Sequence, residues 1–500
     1  MFRSQPLHRS LSGVTVLFAA IMLSSQAQAD RFTYTDKLGE TVNVEARLAG
    51  SGQGMHALEL DDGSIRLVPQ RAVTKRELAE GPEPIDTNEM IERLTEKFGK
   101  DKFRAYDRKP YVIGVVLAAP LPKSHESRVR GLMATAATFM RRVETNFMKY
   151  ARNVRFPTEP PQFPLVLLIF ESDDDFEAYT KEVTGQRGIS AQNIAGFYSG
   201  LSNWLAIRLT ECSDFEVPLH EAIHQQVYNR HVLQRLGPTP VWFNEGIATG
   251  FEGDGTKISG NPTLLNARYA LRANKAAAID WANVVGDDKA FRGDVLAGDA
   301  YTHAWSLHWL LVTKYKVAYS NYVKTLAQQQ SLSKVTAEER TREFEEAFGK
   351  SVRELQKEFR QQLEIAIRKQ KPKLKNQPRR GYSLTQDNLG EVELKAVRRL
   401  DLGGAMFVEG RLKNISPIRD LAFHITVETT AGTYAEWYLP SLKMKKMTAL
   451  KLQQVNKLMK NAPGGQSATF HVRVRSIPPD SETAATWKRG QLPVPVFGGR

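Results

Sequence analysis

Two histidines four residues apart, with an acid following the first, stand at His220-Glu221-Ala222-Ile223-His224. Residues i and i+4 share a helix face, so both imidazoles reach one ion while the intervening carboxylate stays beside it. A catalytic zinc takes three protein ligands and keeps one position open. The third is expected in Trp242-Phe243-Asn244-Glu245-Gly246-Ile247-Ala248, where Glu245 lies 21 positions after His224. Gly237 and Pro240 punctuate the stretch between and let the chain reverse, bringing a second helix alongside the first. The expected centre is therefore Zn2+ on His220, His224 and Glu245, with Glu221 as general base rather than ligand. Zinc in such a site lowers the pKa of its water to about 7 and polarises a carbonyl, while the base takes and returns the proton. Asn244 and Glu252 are candidates to steady a histidine from outside the ligand set, because metal-bound imidazoles usually donate to a carboxylate or carbonyl; plain solvated side chains are the alternative.

The first helix has the right local chemistry. Pro218 suits a first turn, Ser213 or Asp214 can cap, and Phe215, Leu219, Ile223 and Val227 form an apolar stripe beside the histidines. Upstream, Val129, Leu132, Met133, Ala136, Phe139, Met140, Val143 and Phe147 recur at three- and four-residue spacing and predict a long amphipathic helix. Pro164 to Phe170 predicts a buried strand, followed by a helix capped by Ser172. Gly196-Phe197-Tyr198 and Trp204 to Leu209 predict a hairpin-like pair leading into the motif, and helices dominate from there to about Lys369.

HExxH followed by Trp242-Phe243-Asn244-Glu245-Gly246 resembles the gluzincin metallopeptidases, and the second segment is similar to the ligand helix of the aminopeptidase N group. His220, His224 and Glu245 match the motif position by position. His220 to Gln225 together with Phe251-Glu252 is most similar to a bacterial peptidase-like family of unknown function. The resemblance covers roughly residues 90 to 365 and implies a peptide or protein substrate. It also implies a tyrosine on a later helix to stabilise the developing oxyanion. Tyr301 is the candidate for that role, with His303 and Tyr228 behind it and ordinary packing as the alternative for each. The Gly-Ala-Met-Glu-Asn element that grips a free amino terminus in aminopeptidase N relatives has no counterpart before the motif, which puts exopeptidase action in doubt. In its place, Ala195 to Gly200 and the strand Asn203 to Leu209 offer backbone groups for strand addition by an extended peptide.

The elements around this core differ in kind. Residues 30–80 alternate short β-type runs with turn signals such as Asp61-Asp62-Gly63 and predict a small SH3-like β-barrel, with a linker at Gly81-Pro82-Glu83-Pro84. Residues 368–384 form a basic linker, and residues 385–500 carry the short alternating runs of an all-β sandwich. The expected fold is multidomain, with an α+β gluzincin-like core at 88–367. Residues 1–29, with Arg3 and Arg9 before an apolar run and Ala27-Gln28-Ala29 at the end, predict a signal peptide and export. No later segment is long and apolar enough to predict a membrane span.

The formal charge of +14 is compatible with an anionic envelope surface; no nucleic acid is expected as partner. Cys212 is the sole cysteine, which excludes an internal disulfide; eight residues before His220, it reads as an idle or buried thiol, with a metal-facing thiol as the other possibility. Three functional classes remain, the first two being an exported zinc metallopeptidase and a catalytically inactive peptidase-like scaffold of the cell envelope. Glu221 favours the first, since a scaffold needs no base. A polyanion-binding protein, resting on charge alone, is the third.

Overall fold

Alternation of apolar and polar residues after Ala29 builds a five-stranded antiparallel unit. Its strands are β1 (Ala29–Thr35), β2 (Thr41–Gly52), β3 (Met55–Glu59), β4 (Ile65–Pro69) and β5 (Val73–Ala79), in the order β4-β3-β2-β1-β5. Phe32, Tyr34, Ala46, Leu58 and Val68 fill its interior. The computed structural model describes residues 29–184, 195–213, 216–253, 258–275, 280–291, 294–372, 389–399, 405–429, 432–454 and 471–488. The segment expected to direct export thus lies outside the described residues, apart from its last residue, Ala29, at the start of β1. So does most of the basic linker.

A second sheet follows. Asp86 caps α1 (Thr87–Phe98) through the backbone amides of Asn88 and Glu89. Next come β6 (Phe103–Arg108), β7 (Tyr111–Val116), α2 (Glu126–Val154), β8 (Leu165–Phe170), α3 (Asp173–Thr184), β9 (Gly196–Tyr198) and β10 (Leu205–Arg208). The strand order is β6-β7-β8-β10-β9, with β7, β8 and β10 parallel and the two outer strands antiparallel to their neighbours. Every residue of β7, β8 and β10 is buried, as a sheet covered on both faces requires. Ile113, Val115, Leu167 and Ile169 face the cluster that includes the apolar stripe of α2. Val112, Val166, Leu168 and Phe170 face Met90 and Leu94 of α1 and Phe176 and Tyr179 of α3. Ser172 Oγ accepts from the Asp175 amide, the cap expected from the sequence.

Eight helices continue the chain: α4 (Glu216–Asn229), α5 (Val241–Phe251), α6 (Ala267–Ala273), α7 (Trp281–Gly286), α8 (Asp294–Lys314), α9 (Lys316–Gln328), α10 (Ala337–Phe348) and α11 (Val352–Gln370). The last extends through Arg368 and Lys369, so the expected linker begins later than residue 368. The C-terminal part is sandwich-like, with two three-stranded sheets. One orders β11 (Gly390–Arg399), β12 (Ala405–Asn414) and β15 (Met447–Gln454); the other orders β14 (Gly432–Leu442), β13 (Leu421–Thr429) and β16 (His471–Ile477). It is not purely β: α12 (Glu482–Lys488) places Trp487 against Ala422 and Tyr438. No described helix is long and apolar enough to cross a membrane.

Both flanking units pack on the central one. At the N-terminal end, Arg93 of α1 holds both carboxylate oxygens of Asp61, and the Ile85 amide donates to the Asp61 carbonyl. The stretch expected as a linker is therefore pinned at its end. At the C-terminal end, Arg419 pairs with the buried Glu171, which also accepts from the Ala118 amide, and Arg419 donates to the Ala119 carbonyl.

Candidate functional site

Helix α4 follows β10, an inner strand of the second sheet, and has one side fastened to that sheet. Leu219, Ile223 and Val227 are buried, as the stripe predicts, while Gln225 Nε2 donates to the Val166 carbonyl and Gln226 Nε2 to the Tyr111 hydroxyl. Pro218 lies in the first turn; Asp214 and Phe215 fall outside the described residues. This fastening fixes the rotation of α4 and turns His220 and His224 toward α5 and Glu221 toward β9. Helix α5 is anchored by buried Trp242, Phe243, Ile247 and Phe251, which leaves Asn244 and Glu245 on the side facing α4. Gly246 is required by packing: a Cβ there would collide with His308 and with the backbone of Ala304, so only glycine lets α8 approach closely.

The three expected ligand side chains meet. Nε2 of His220 lies 3.1 Å from Nε2 of His224 and 3.0 Å from Oε2 of Glu245, and the remaining edge, from His224 Nε2 to that oxygen, is 3.7 Å. Four-coordinate tetrahedral bonds of about 2.0–2.1 Å put neighbouring ligand atoms about 3.3 Å apart. The triangle therefore has the size of one face of a zinc tetrahedron. Among the described residues, this is the one group of histidine, cysteine or acidic side chains that converges in this manner, so it could hold a metal ion.

The outer nitrogens are also committed. His220 Nδ1 donates to Glu252 Oε1 at 2.8 Å and His224 Nδ1 to Asn244 Oδ1 at 3.2 Å. With those protons outward, the Nε2 lone pairs point at each other and at a carboxylate, an arrangement that a cation relieves. Glu252 is itself held by the Tyr269 hydroxyl at 2.6 Å, a partner that the sequence did not single out. Its only trace in the sequence is an aromatic in a helix lacking strong periodicity.

Glu221 is outside the ligand triangle and accepts a hydrogen bond from the Tyr198 main-chain N–H at 2.9 Å. Burial pushes its carboxyl above the ordinary range, against the pull of His220 and His224. Burial likewise disfavours charge on Glu245, yet His224 and His220 outweigh it and carry that carboxyl well below the usual range. For His220 burial again opposes the charged form, but hydrogen bonds to Glu245 and Glu252 and the charge of Glu221 hold it well above the ordinary imidazole value.

These groups open on a cavity of about 350 Å³ whose walls include Tyr198, Tyr228, Arg235, Leu236 and Tyr301. Tyr301 stands with its ring 6.2 Å from that of His220, and burial next to Glu245 and Glu221 keeps its hydroxyl protonated. Tyr228 stacks on Tyr198 at 5.7 Å. His303 is a correction: it lies on the same helix as Tyr301 but accepts from Trp281 Nε1 at 3.0 Å and lines a different cavity. Two residues along a helix point away from each other, so one position serves the cleft and the other the core. Cys212 packs against the core and is not part of the ligand group.

The strand from Asn203 to Leu209 is corrected too. As β10 it sits between β8 and β9 with both edges paired, so among the described residues β9 is the strand that borders the site with an unpaired edge. Of that edge, the Tyr198 N–H is already given to Glu221.

Residues 217–333, from α4 to just beyond α9, match the family described as "Protein of unknown function (DUF1570)". No curated protein matches the chain.

Proposed function

We propose that this chain is an exported zinc-dependent hydrolase of the gluzincin type that cleaves peptide bonds. The observation that carries the reading is the triangle of His220, His224 and Glu245 at the spacing of a zinc coordination face, with a second carboxylate, Glu221, held just outside it. When bound, zinc supplies Lewis acidity toward a carbonyl oxygen and makes water a nucleophile near neutral pH. The protein's part is then positioning and proton transfer. Glu221, oriented by the Tyr198 N–H, takes a proton from water and delivers it to the departing amine. Tyr301, kept protonated across the cleft, donates to the oxygen on which negative charge develops. Glu252 and Asn244 hold the two rings in the tautomer that leaves Nε2 to the metal.

A peptide or protein is the proposed substrate, and the basic chain suits an anionic envelope surface as its setting. A non-catalytic scaffold would need no carboxylate hydrogen-bonded in this place. The test is a broad peptide-library assay of the mature protein, of the same protein stripped by a chelator and reloaded with zinc, and of Glu221→Gln. Cleavage in the native and reloaded forms but in neither the stripped form nor the variant is expected. Undiminished cleavage by Glu221→Gln would contradict the mechanism, and silence of the native protein across the library would contradict the activity.

A further inference from the structure

We infer that Arg235 is a positioning residue through which the N-terminal β unit sets one wall of the cleft. The catalytic consequence of this rests on the hydrolase reading; the mechanical part does not.

Arg235 follows α4 and is largely buried, with its guanidinium shared between two parts of the molecule. Nη2 pairs with Glu59 at the end of β3, while Nη1 donates to the Gly63 carbonyl in the β3–β4 turn at 2.6 Å and to the Gly200 carbonyl at 3.3 Å. Gly200 belongs to the turn between β9 and β10 and lines the same cavity as the metal-ligand group. The next residue is tied independently, since the Ile65 N–H of β4 donates to the Leu201 carbonyl at 2.6 Å. A planar fork that reaches three acceptors in two chain segments is a task for arginine, and a lysine ammonium cannot span it.

A second contact fixes the arginine's own segment from behind. The Ser331 hydroxyl donates to the Arg235 carbonyl at 2.6 Å, and the Leu332 amide donates to the Leu236 carbonyl at 2.8 Å. Ser331 and Leu332 lie against β2 at Gly50 and Gly52, where a Cβ would collide with their main-chain oxygens. Strand glycines usually weaken a strand, and here they permit backbone to approach backbone. The cleft wall from Arg235 to Gly237 is thus clamped by the β unit on two sides.

What the brace holds is the β9–β10 turn, and through it the donor that orients Glu221. Tyr198 precedes that turn, and its main-chain N–H is the one bonded to Glu221. Ser199 organises the turn by accepting from Leu201 and Ser202 amides on its hydroxyl and from Asn203 on its carbonyl. Losing Arg235 releases Gly200, one of the two ties at this end of the turn, and the loss falls on alignment rather than on metal binding.

The experiment compares Arg235→Met with Arg419→Met, which breaks a buried Arg–Glu pair of the same kind at the other flank, away from the cleft. Two readouts are taken on full-length mature protein at a temperature where both variants are folded: hydrogen–deuterium exchange of peptides covering 196–204, and kcat/KM with zinc content. Arg235→Met is expected to speed exchange of that turn at least about tenfold and to lower kcat/KM by a similar factor through kcat, with zinc retained. Arg419→Met is expected to leave both unchanged. Should Arg235→Met not fold, Glu59→Gln carries the same comparison, keeping an acceptor but losing the charge, with a smaller change in the same peptides. Equal exchange of 196–204 in the flank control and the Arg235 or Glu59 variant overturns the brace. Local loosening in a protein that shows no turnover at all leaves the brace standing and removes the hydrolase reading.

Discussion

In the proposed mechanism Glu252 and Tyr301 divide the work around the three proposed ligands, and substitution separates their roles. Removing the acceptor with Glu252→Ala frees the His220 ring to rotate and to change tautomer, so zinc affinity should fall about 10- to 100-fold. Competition with a chromogenic chelator measures this. Tyr301→Phe keeps the ring and removes only the donor; kcat should fall about 10²- to 10³-fold while zinc content holds. The raised pKa of His220 gives a pH dependence with a definite sign. Glu245, Glu252 and Glu221 favour the protonated His220 ring, so on the proposed reading zinc uptake would expel that proton. Affinity should therefore rise about tenfold per pH unit below the folded pKa of His220 and level off above it. Titration calorimetry in two buffers of different ionisation enthalpy counts the protons released, and a pH-independent affinity would contradict the assignment.

At the scale of elements, Gly246 decides how close α8 comes to α5 and so where Tyr301 stands. Gly246→Ala drives a methyl into the backbone of Ala304 and the ring of His308 and should cost about 1–3 kcal/mol, read by chemical denaturation. Helix α4 was legible in the sequence because histidine spacing and a buried apolar stripe coincide on it, and α5 because Gly237 and Pro240 punctuate the chain just before the Glu245 segment. The pair β9 and β10 was legible as well, but its order was not, since pairing partners far apart in sequence leave no local trace. Strand β7 is a continuous apolar run that periodicity cannot tell from a buried helix. Strand β5 is exposed almost throughout and so lacks alternation, and β6 ends in charged residues. The roles of Asn244 and Glu252 could be suspected from their neighbours, whereas Tyr269 needed the folded chain, because α6 reaches Glu252 only through tertiary packing.

For the whole molecule, the two flanking β units are joined to the central one by buried arginine–carboxylate contacts, through Arg235 at one end and Arg419 at the other. The Glu171 side chain is buried and serves Arg419 and the Ala118 amide together. Glu171→Ala leaves the guanidinium without its counter-charge in a dry contact and should cost about 3–5 kcal/mol, lowering the denaturation midpoint and exposing the sandwich-like unit to proteolysis first. An unchanged midpoint would show that the C-terminal unit is held by other contacts. The sequence separated the flanking β patterns from the central one, but it showed nothing of their docking. Single arginines that act across more than a hundred residues carry no spacing rule.

The central claim is that His220, His224 and Glu245 jointly hold one metal ion beside a base that is not a ligand. Elemental analysis of purified native protein, His220→Ala and Glu221→Gln tests it most directly. One zinc per chain is predicted in the native protein and in Glu221→Gln, and none in His220→Ala. Zinc retained by His220→Ala, or lost from Glu221→Gln while its fold persists, would contradict the account.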